Sequence, residues 1–350
     1  MKIIRLSLLS IATFLGSLVA SAQQAPTEAI ISSLSGSATV LAPGATQGSP
    51  AVVGQKLPEG STIITADGAS VVVQSHQGIE TGIGAKSSVV VGVHSVSADG
   101  IRTAVLDLKK GTTVSVLDPS KRATNNYAIR TPRGVAAARG TTYSTTVKLS
   151  SGGEAIVTVN TLTGNVSFSI VGGATISVAE GKSASDKSAA ATSISAAISS
   201  ATPAEQQDIA EALKATVAVV AAISQTTGTS NDGKANALLV TVANTVTTAA
   251  NEVAKSNPTL ATTIVTNTVV AVQQYAGSTG AAAIATIDRV ADSSIQAAVD
   301  AAVAAPAAPV TVTVNTNAAG ETTTITAPVP APTSTQPEPD ITIVVSPSSP

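Results

Sequence analysis

Cysteine and tryptophan are absent from the 350 residues, and the only methionine is the initiator. Five aromatics remain: Phe14, Tyr127, Tyr143, Phe168 and Tyr275. Without Cys there can be no zinc–thiolate site, iron–sulfur cluster, disulfide framework or cysteine nucleophile, and no lipid-modified N-terminal Cys. With so few rings, stacking platforms for carbohydrate or single-stranded nucleic acid are excluded as a main mode of binding. Charge is sparse too, at 11% Asp, Glu, Lys and Arg with a net of −2, so overall charge does not hold this chain to a polyanion. What is present is 43% hydrophobic residues, so the cores must be built from Val, Ile, Leu and Ala. The length suits two or three domains.

The first 22 residues read as an export signal. Lys2 and Arg5 make a positive start, Leu6 to Val19 is apolar, and Ala20-Ser21-Ala22 supplies small residues for cleavage before Gln23. A spanning helix needs about 20 apolar residues, and this run is shorter. No later stretch qualifies, so the mature chain is expected to be exported to the periplasm or cell surface without a membrane span. Its net charge is then about −4.

Composition changes twice along the mature chain. Residues 29–183 are rich in Val, Ile, Thr, Ser and Gly, in short runs divided by turn signals such as Asp67-Gly68, Asp99-Gly100 and Gly172-Gly173. Ser70–Ser75, Ser88–Val96, Arg102–Leu108, Thr112–Leu117, Ala155–Asn160, Asn165–Ile170 and Ala174–Val178 are the expected strands. Residues 186–305 are Ala-rich, and the apolar period lengthens to three and four. Thr202-Pro203-Ala204-Glu205 combines an N-cap, a proline at the first helical position and a capping-box glutamate. Asn257-Pro258 ends a second helix and starts a third, and Gly228 closes the first. The stripe Ile284, Ile287, Ala291, Ile295, Ala298, Ala302 predicts one last helix, and a weaker one is predicted at Asp186–Ser199. Residues 306–350 are Pro/Thr-rich; Val310–Asn315 and Thr322–Ala327 can pair as a hairpin. Two strands alone are marginal, so without a surface to rest on this is a free tail. The fold class is therefore α+β, segregated: an all-β module, an Ala-rich helical bundle and a tail.

One segment is more specific. Arg130-Thr131-Pro132-Arg133-Gly134 reads as a strand running into a turn, and Arg139-Gly140-Thr141-Thr142-Tyr143 opens the next strand. Leu162-Thr163-Gly164-Asn165-Val166-Ser167-Phe168 reads as a hairpin, and Val178-Ala179-Glu180-Gly181-Lys182 as a closing turn. Upstream stands Val53-Gly54-Gln55-Lys56-Leu57-Pro58-Glu59-Gly60-Ser61-Thr62-Ile63-Ile64-Thr65. Together these resemble the FecR domain over roughly residues 30–183, with Thr131, Pro132, Gly134, Arg139, Gly140, Thr141, Tyr143, Gly164, Phe168 and Gly181 carrying its structural motif. The resemblance implies an antiparallel or solenoid-like β module that works outside the cytoplasm without catalysis. The best-known members regulate iron-uptake signalling and contact the signalling domain of an outer-membrane receptor. They carry an anti-sigma segment and a membrane helix ahead of the module, whereas here the export signal leads directly into it.

Candidate chemistry is thin. Nine Lys and Arg against three Asp in residues 98–148 give a local +6. Of these, Arg102, Lys109, Lys110, Lys121, Arg122, Arg130 and Arg133 are a candidate basic face for an acidic glycan or an envelope protein; solvated strand faces are the plainer reading. Export and few aromatics argue against nucleic acid. His76 and His94, with Glu80 or Asp67, lack metal-ligand spacing, so no metal site is assigned. Glu59, Glu80, Glu154 and Glu180 are scattered, so no carboxylate pair is nominated. Gly82-x-Gly84-x-Lys86-Ser87 is too short for a phosphate loop. No catalytic residue and no cofactor is expected. The reading is an exported binding or scaffold module, with self-association through the helices or tail; a surface or matrix protein is the alternative, and a hydrolase a distant one.

Overall fold

The structure is a computed structural model. It describes residues 28–150, 152–226, 232–276 and 280–305, together with the backbone of two later strands at 311–315 and 322–326. The expected export signal, Gly228 and the Pro-rich end lie outside the described residues.

The first part of the chain is β. Its strands begin with β1 (Ala29–Ser35), β2 (Ala38–Leu41), β3 (Ser49–Pro50), β4 (Lys56–Leu57), β5 (Thr62–Thr65), β6 (Ser70–His76), β7 (Ile79–Ile83) and β8 (Ser88–Val96). They continue as β9 (Arg102–Leu117), β10 (Asn125–Thr131), β11 (Gly134–Ala138), β12 (Thr142–Leu149), β13 (Ala155–Thr163), β14 (Asn165–Ile170), β15 (Thr175–Ala179), β16 (Lys182–Ser185) and β17 (Thr192–Ser193). Six helices follow: α1 (Ile194–Ser200), α2 (Pro203–Thr226), α3 (Asp232–Ala254), α4 (Pro258–Ala276), α5 (Ala281–Val290) and α6 (Ser293–Ala304). Strands β18 (Thr311–Asn315) and β19 (Thr322–Thr326) end the described chain.

The pairings resolve into two sheets joined through one strand. The outer sheet runs β3-β2-β5-β8-β9-β10-β11-β14-β15. The inner sheet runs β19-β18-β1-β6-β7-β9-β12-β13-β16-β17, with β4 beside the start of β1. Strand β9 belongs to both, pairing with β8 through Lys110 and with β12 from Gly111 onward. Pairing is antiparallel throughout the described strands except between β9 and β10. Of the two β arrangements expected, the chain is the antiparallel one.

Side chains from the facing sides of both sheets share one core, which includes Ile63, Leu106, Ile129 and Phe168 from the outer sheet and Ile31, Ile79, Tyr143 and Val157 from the inner. The outer sheet is wet on its other face, so β14 and β15 alternate exposed and buried residues strictly. The inner sheet is covered twice. Its second face meets α2 and α3, with Val72, Val114 and Leu162 joining the helical core. The first six residues of β12 are accordingly all buried. The result is three layers: sheet, sheet, helices.

Passage between the sheets has a local cause. The connections at Gly36, Gly60, Gly68, Gly140, Gly164 and Gly181 all take the chain from one sheet to the other, and each glycine has positive φ. Such a residue turns the backbone sharply enough to leave one layer and enter the next, a conformation that costs little only without a Cβ.

Four expectations are corrected. Arg102–Leu108 and Thr112–Leu117 are not separate strands but one 16-residue strand, because the bend at Gly111 (φ 90°) moves the ladder from sheet to sheet without interrupting it. The turn after Thr131 is shorter than expected, since Gly134–Ala138 is itself a strand. The helix expected at Asp186–Ser199 starts only at Ile194. Asp186 is held to the sheet, its carboxylate accepting from the Val157 N–H at 2.8 Å, and Ser193 caps α1 by accepting from Ala196 N–H at 3.1 Å. The last apolar stripe is two helices, not one. Asn251 of α3 donates to the Val290 carbonyl at 2.7 Å and accepts from Asp292 N–H at 3.0 Å, holding the chain open between α5 and α6.

Other local signals hold. Thr202 and Glu205 form the capping box, Thr202 N–H donating to Glu205 Oε2 at 2.8 Å, and Asn257 caps α4 by accepting from Leu260 N–H at 3.1 Å. The hairpin of β18 and β19 finds its surface: β18 pairs with β1 along Ser33–Ser35 and extends the inner sheet. It is not a free tail.

Candidate functional site

The motif segment builds the centre of the sandwich. Thr131 closes the β10–β11 hairpin; its hydroxyl donates to the Gly134 carbonyl at 2.8 Å and accepts from Gly134 N–H at 3.0 Å, with Pro132 and Arg133 at the tip. Gly134 lies where β11 meets β14, and a Cβ there would come within 2.6 Å of the Ser169 carbonyl oxygen. Gly140 (φ 69°) carries the chain from outer to inner sheet, packed so that a Cβ would lie 2.7 Å from Pro119 Cα. Thr141 donates to the Asn165 carbonyl at 3.1 Å and joins this crossing to the one at Gly164. Gly181 makes the last crossing, and its N–H donates to the Thr161 carbonyl at 2.9 Å.

Tyr143 and Phe168 are wholly buried between the sheets. Tyr143 donates to the Ala136 carbonyl at 3.3 Å, so its ring spans from inner to outer sheet. Tyr127 is buried beside them, its hydroxyl within 2.5 Å of Thr81 Oγ1 and 3.0 Å of Ser115 Oγ. Burial pushes the Tyr127 phenol up to about 12 and that of Tyr143 well above its usual range, so both stay neutral donors. These ten positions shape the fold; none of them projects a reactive group into a cleft.

The basic residues divide into two groups. Lys109 and Arg130 lie on the wet face of the outer sheet and flank Asp107; Arg130 Nε is 2.5 Å from one carboxylate oxygen and Lys109 Nζ 3.5 Å from the other. Arg133 at the hairpin tip pairs with Asp186 at 3.1 Å and Glu154 at 3.7 Å. Arg139 donates to Asn126 Oδ1 at 2.6 Å, not to backbone carbonyls of its own bend. Arg102 opposes Asn125 at the other end of the β9–β10 pair, near Lys121 and Arg122 of a single helical turn. Lys110 stands at the sheet-to-sheet bend. Five residues of strand, about 17 Å, separate the Arg102 end from the Asp107 end. The surface is a pair of basic spots partly balanced by carboxylates.

His76 and His94, which the sequence leaves apart, meet with ring centroids 5.5 Å apart at one end of the sandwich core. His76 Nε2 lies 3.1 Å from the Thr103 carbonyl oxygen, while neither ring nitrogen of the buried His94 has a hydrogen-bond partner. Burial, with the neighbouring His76, lowers His94 to about 4, and burial lowers His76 as well. No third His, Asp or Glu converges on them, and among the described residues no cluster of three such groups forms. Glu80 faces the helices instead, on the opposite side of the inner sheet from Ile79 and Thr81.

Residues 61–167 match the family model described as FecR protein. This stretch is similar to the FecR domain. The match covers β5 to the middle of β14, so Thr131 through Gly164 of the motif lie within it, while Phe168 and Gly181 lie just beyond. Among solved structures, two crystal structures of a candidate anti-sigma factor from Parabacteroides distasonis ATCC 8503, at 1.65 and 2.50 Å, resemble the chain at 12% identity with TM-score 0.28. Each comparison covers 35% of this chain and 52% of the other, so the match spans about half the length of those proteins. Comparison with curated proteins gives no match. The matched stretch is thus set within a larger sandwich, with strands added on both sides and helices on one face. Among the described residues, no helix is long and apolar enough to cross a membrane.

A cleft between the inner sheet and the first helices escaped the sequence reading. Its floor is formed by β12, β13 and β16 and its roof by α1 and α2. Lys148 and Asp208 form an ion pair at its rim, and burial lowers the Lys148 ammonium from its usual range. No local pattern marks it, since its walls come from elements spread between Thr146 and Ala212.

Proposed function

We propose that this chain is an exported, non-catalytic FecR-domain protein that serves as a binding and scaffold module in the cell envelope, recognising a protein or glycan partner. The FecR match carries this reading. The layering supports it: the inner sheet is covered on both faces, whereas the outer sheet keeps one face in water. That face presents the Lys109–Asp107–Arg130 cluster beside Val90 and Val135, with Ser167, Ser169, Thr175 and Ser177 toward its β15 edge, a surface suited to docking. The absence of aromatic platforms and the buried, carboxylate-free histidine pair favour recognition over turnover.

The test uses the full exported chain as bait against envelope fractions, compared with a Lys109→Glu/Arg130→Glu double variant and a Lys214→Glu control on a helix. A partner held by the wild type and the control but released by the double variant is the expected result. Equal capture by all three removes the outer face from the proposal. Export is checked separately by fractionation and N-terminal sequencing, with Gln23 expected as the first residue.

Self-association, as in a surface or matrix protein, is favoured by one observation. The outer sheet ends at β15, and residues 165–179 contain neither charge nor proline, the usual guards of an edge strand. A Ser177→Lys variant that lowers the mass seen by light scattering would support that reading.

A further inference from the structure

The inner sheet is polar where it would be expected to be most apolar. On its helix-facing side, Ser144, Asn160 and Ser183 lie opposite one another across β12, β13 and β16; Thr146, Thr158 and Ser185 form the next row. The helices do not close over these rows. They leave a cleft of about 330 Å³ whose far wall is Ala197, Ala201, Ile209 and Ala212. That volume is at the small end of ligand pockets, roughly 300–1,000 Å³.

Asn160 lies on the cleft floor and is completely buried. Its Nδ2 donates to Ser144 Oγ at 3.3 Å, while its Oδ1 has no partner. An amide oxygen left so costs about 1–3 kcal/mol, a penalty that a donor placed in the cleft would remove. Neighbouring polar groups are only partly engaged. Thr146 bonds Thr112 and Ser185 bonds Ser188, but no side-chain bond is made by Thr158 or Ser183. At the rim, Lys148 pairs with Asp208 and Glu205 accepts from Thr202, with Lys187 near Glu205. The floor and the far wall are uncharged, with hydroxyl and amide groups on one and methyl groups on the other.

We infer that this cleft binds a small uncharged polyol of monosaccharide size. Vicinal hydroxyls would meet Thr158, Asn160 and Ser183, with the C–H side of the ligand against the alanines. With no aromatic ring to stack on, binding is weak and rests on the hydrogen bonds, so single substitutions weigh heavily. The inference is independent of the envelope partner proposed for the outer sheet, which lies on the opposite side of the sandwich.

Saturation-transfer NMR on the full exported chain tests it, with D-glucose and D-mannitol as probes and L-serine as a zwitterionic counter-probe. The proteins compared are the wild type, Asn160→Ala, Thr158→Val and a Thr175→Val control on the outer sheet. Transfer to at least one polyol, weakened about tenfold in both cleft variants and kept in the control, is expected. Thr158 is only half-buried and its valine is isosteric, so that variant carries the test if Asn160→Ala does not fold. No transfer to either polyol, transfer unchanged by Thr158→Val, or transfer to L-serine alone would overturn the inference.

Discussion

Glu80 and His94 are two side chains whose ionisation burial opposes, and their effects on stability run in opposite directions with pH. Burial pushes Glu80 up to about 7 from an ordinary value of 4.5. Its folded pKa is raised, so its contribution is fully present below pH 4.5 and is lost as pH climbs through 7. His94 is lowered to about 4 by burial, so its contribution is present above pH 6.5 and is lost as pH falls toward 4. From these two groups, thermal midpoints should be flat between about pH 4.5 and 6.5, where the two effects offset, and fall on either side, with His76, lowered by burial and further by Arg102, adding to the acid limb. Glu80→Gln should remove the alkaline limb, gaining up to about 3 kcal/mol at pH 8 while changing little at pH 4. An alkaline limb that persists in the variant would assign it to another group. Phe168→Ala opens the centre of the sandwich and should cost about 3–5 kcal/mol by denaturant titration.

At the scale of elements, the joints between layers matter more than the strands. Gly82 of β7 faces α2 so closely that a Cβ would overlap the Val219 side chain. Val219 is branched at Cβ and has little room to turn aside. Gly82→Val should therefore push α2 from the sheet and cost about 1–3 kcal/mol, read as a lower midpoint and faster amide exchange in α2. The clamp made by Asn251 is a second joint. Asn251→Leu leaves the Val290 carbonyl and Asp292 N–H without their partner, and about 1–3 kcal/mol should be lost. Capping signals could be read directly because they act within one turn: Thr202 and Glu205, or Asn257 and Leu260, meet whatever the rest of the chain does. The break between α5 and α6 could not, because the residue that makes it is 39 positions away.

At the scale of the whole molecule, the helices complete the inner sheet. Val72, Val114 and Leu162 are buried only because α1 to α3 lie over them. A chain ending near residue 185 should expose this face and self-associate, giving a higher mass in light scattering and increased binding of a hydrophobic dye. A monomeric, fully folded product would show that the two sheets suffice. The hairpin of β18 and β19 works in the same sense, covering the β1 edge of the inner sheet.

The strand and helix regions, the capped helix starts and the FecR-like motif were determined by the sequence alone. Each depends on spacing within a few residues. Which sheet a strand joins was decided only by tertiary structure. The glycine at Gly78, which turns within the inner sheet, and that at Gly68, which crosses between sheets, both have positive φ. Their difference comes from partners distant in sequence, such as β1 with β6 or β9 with β12. The same holds for three features that no sequence pattern marks. The histidine pair, the Glu80 environment and the polar cleft are made by segments that approach only when the layers stack, and no local pattern encodes that approach.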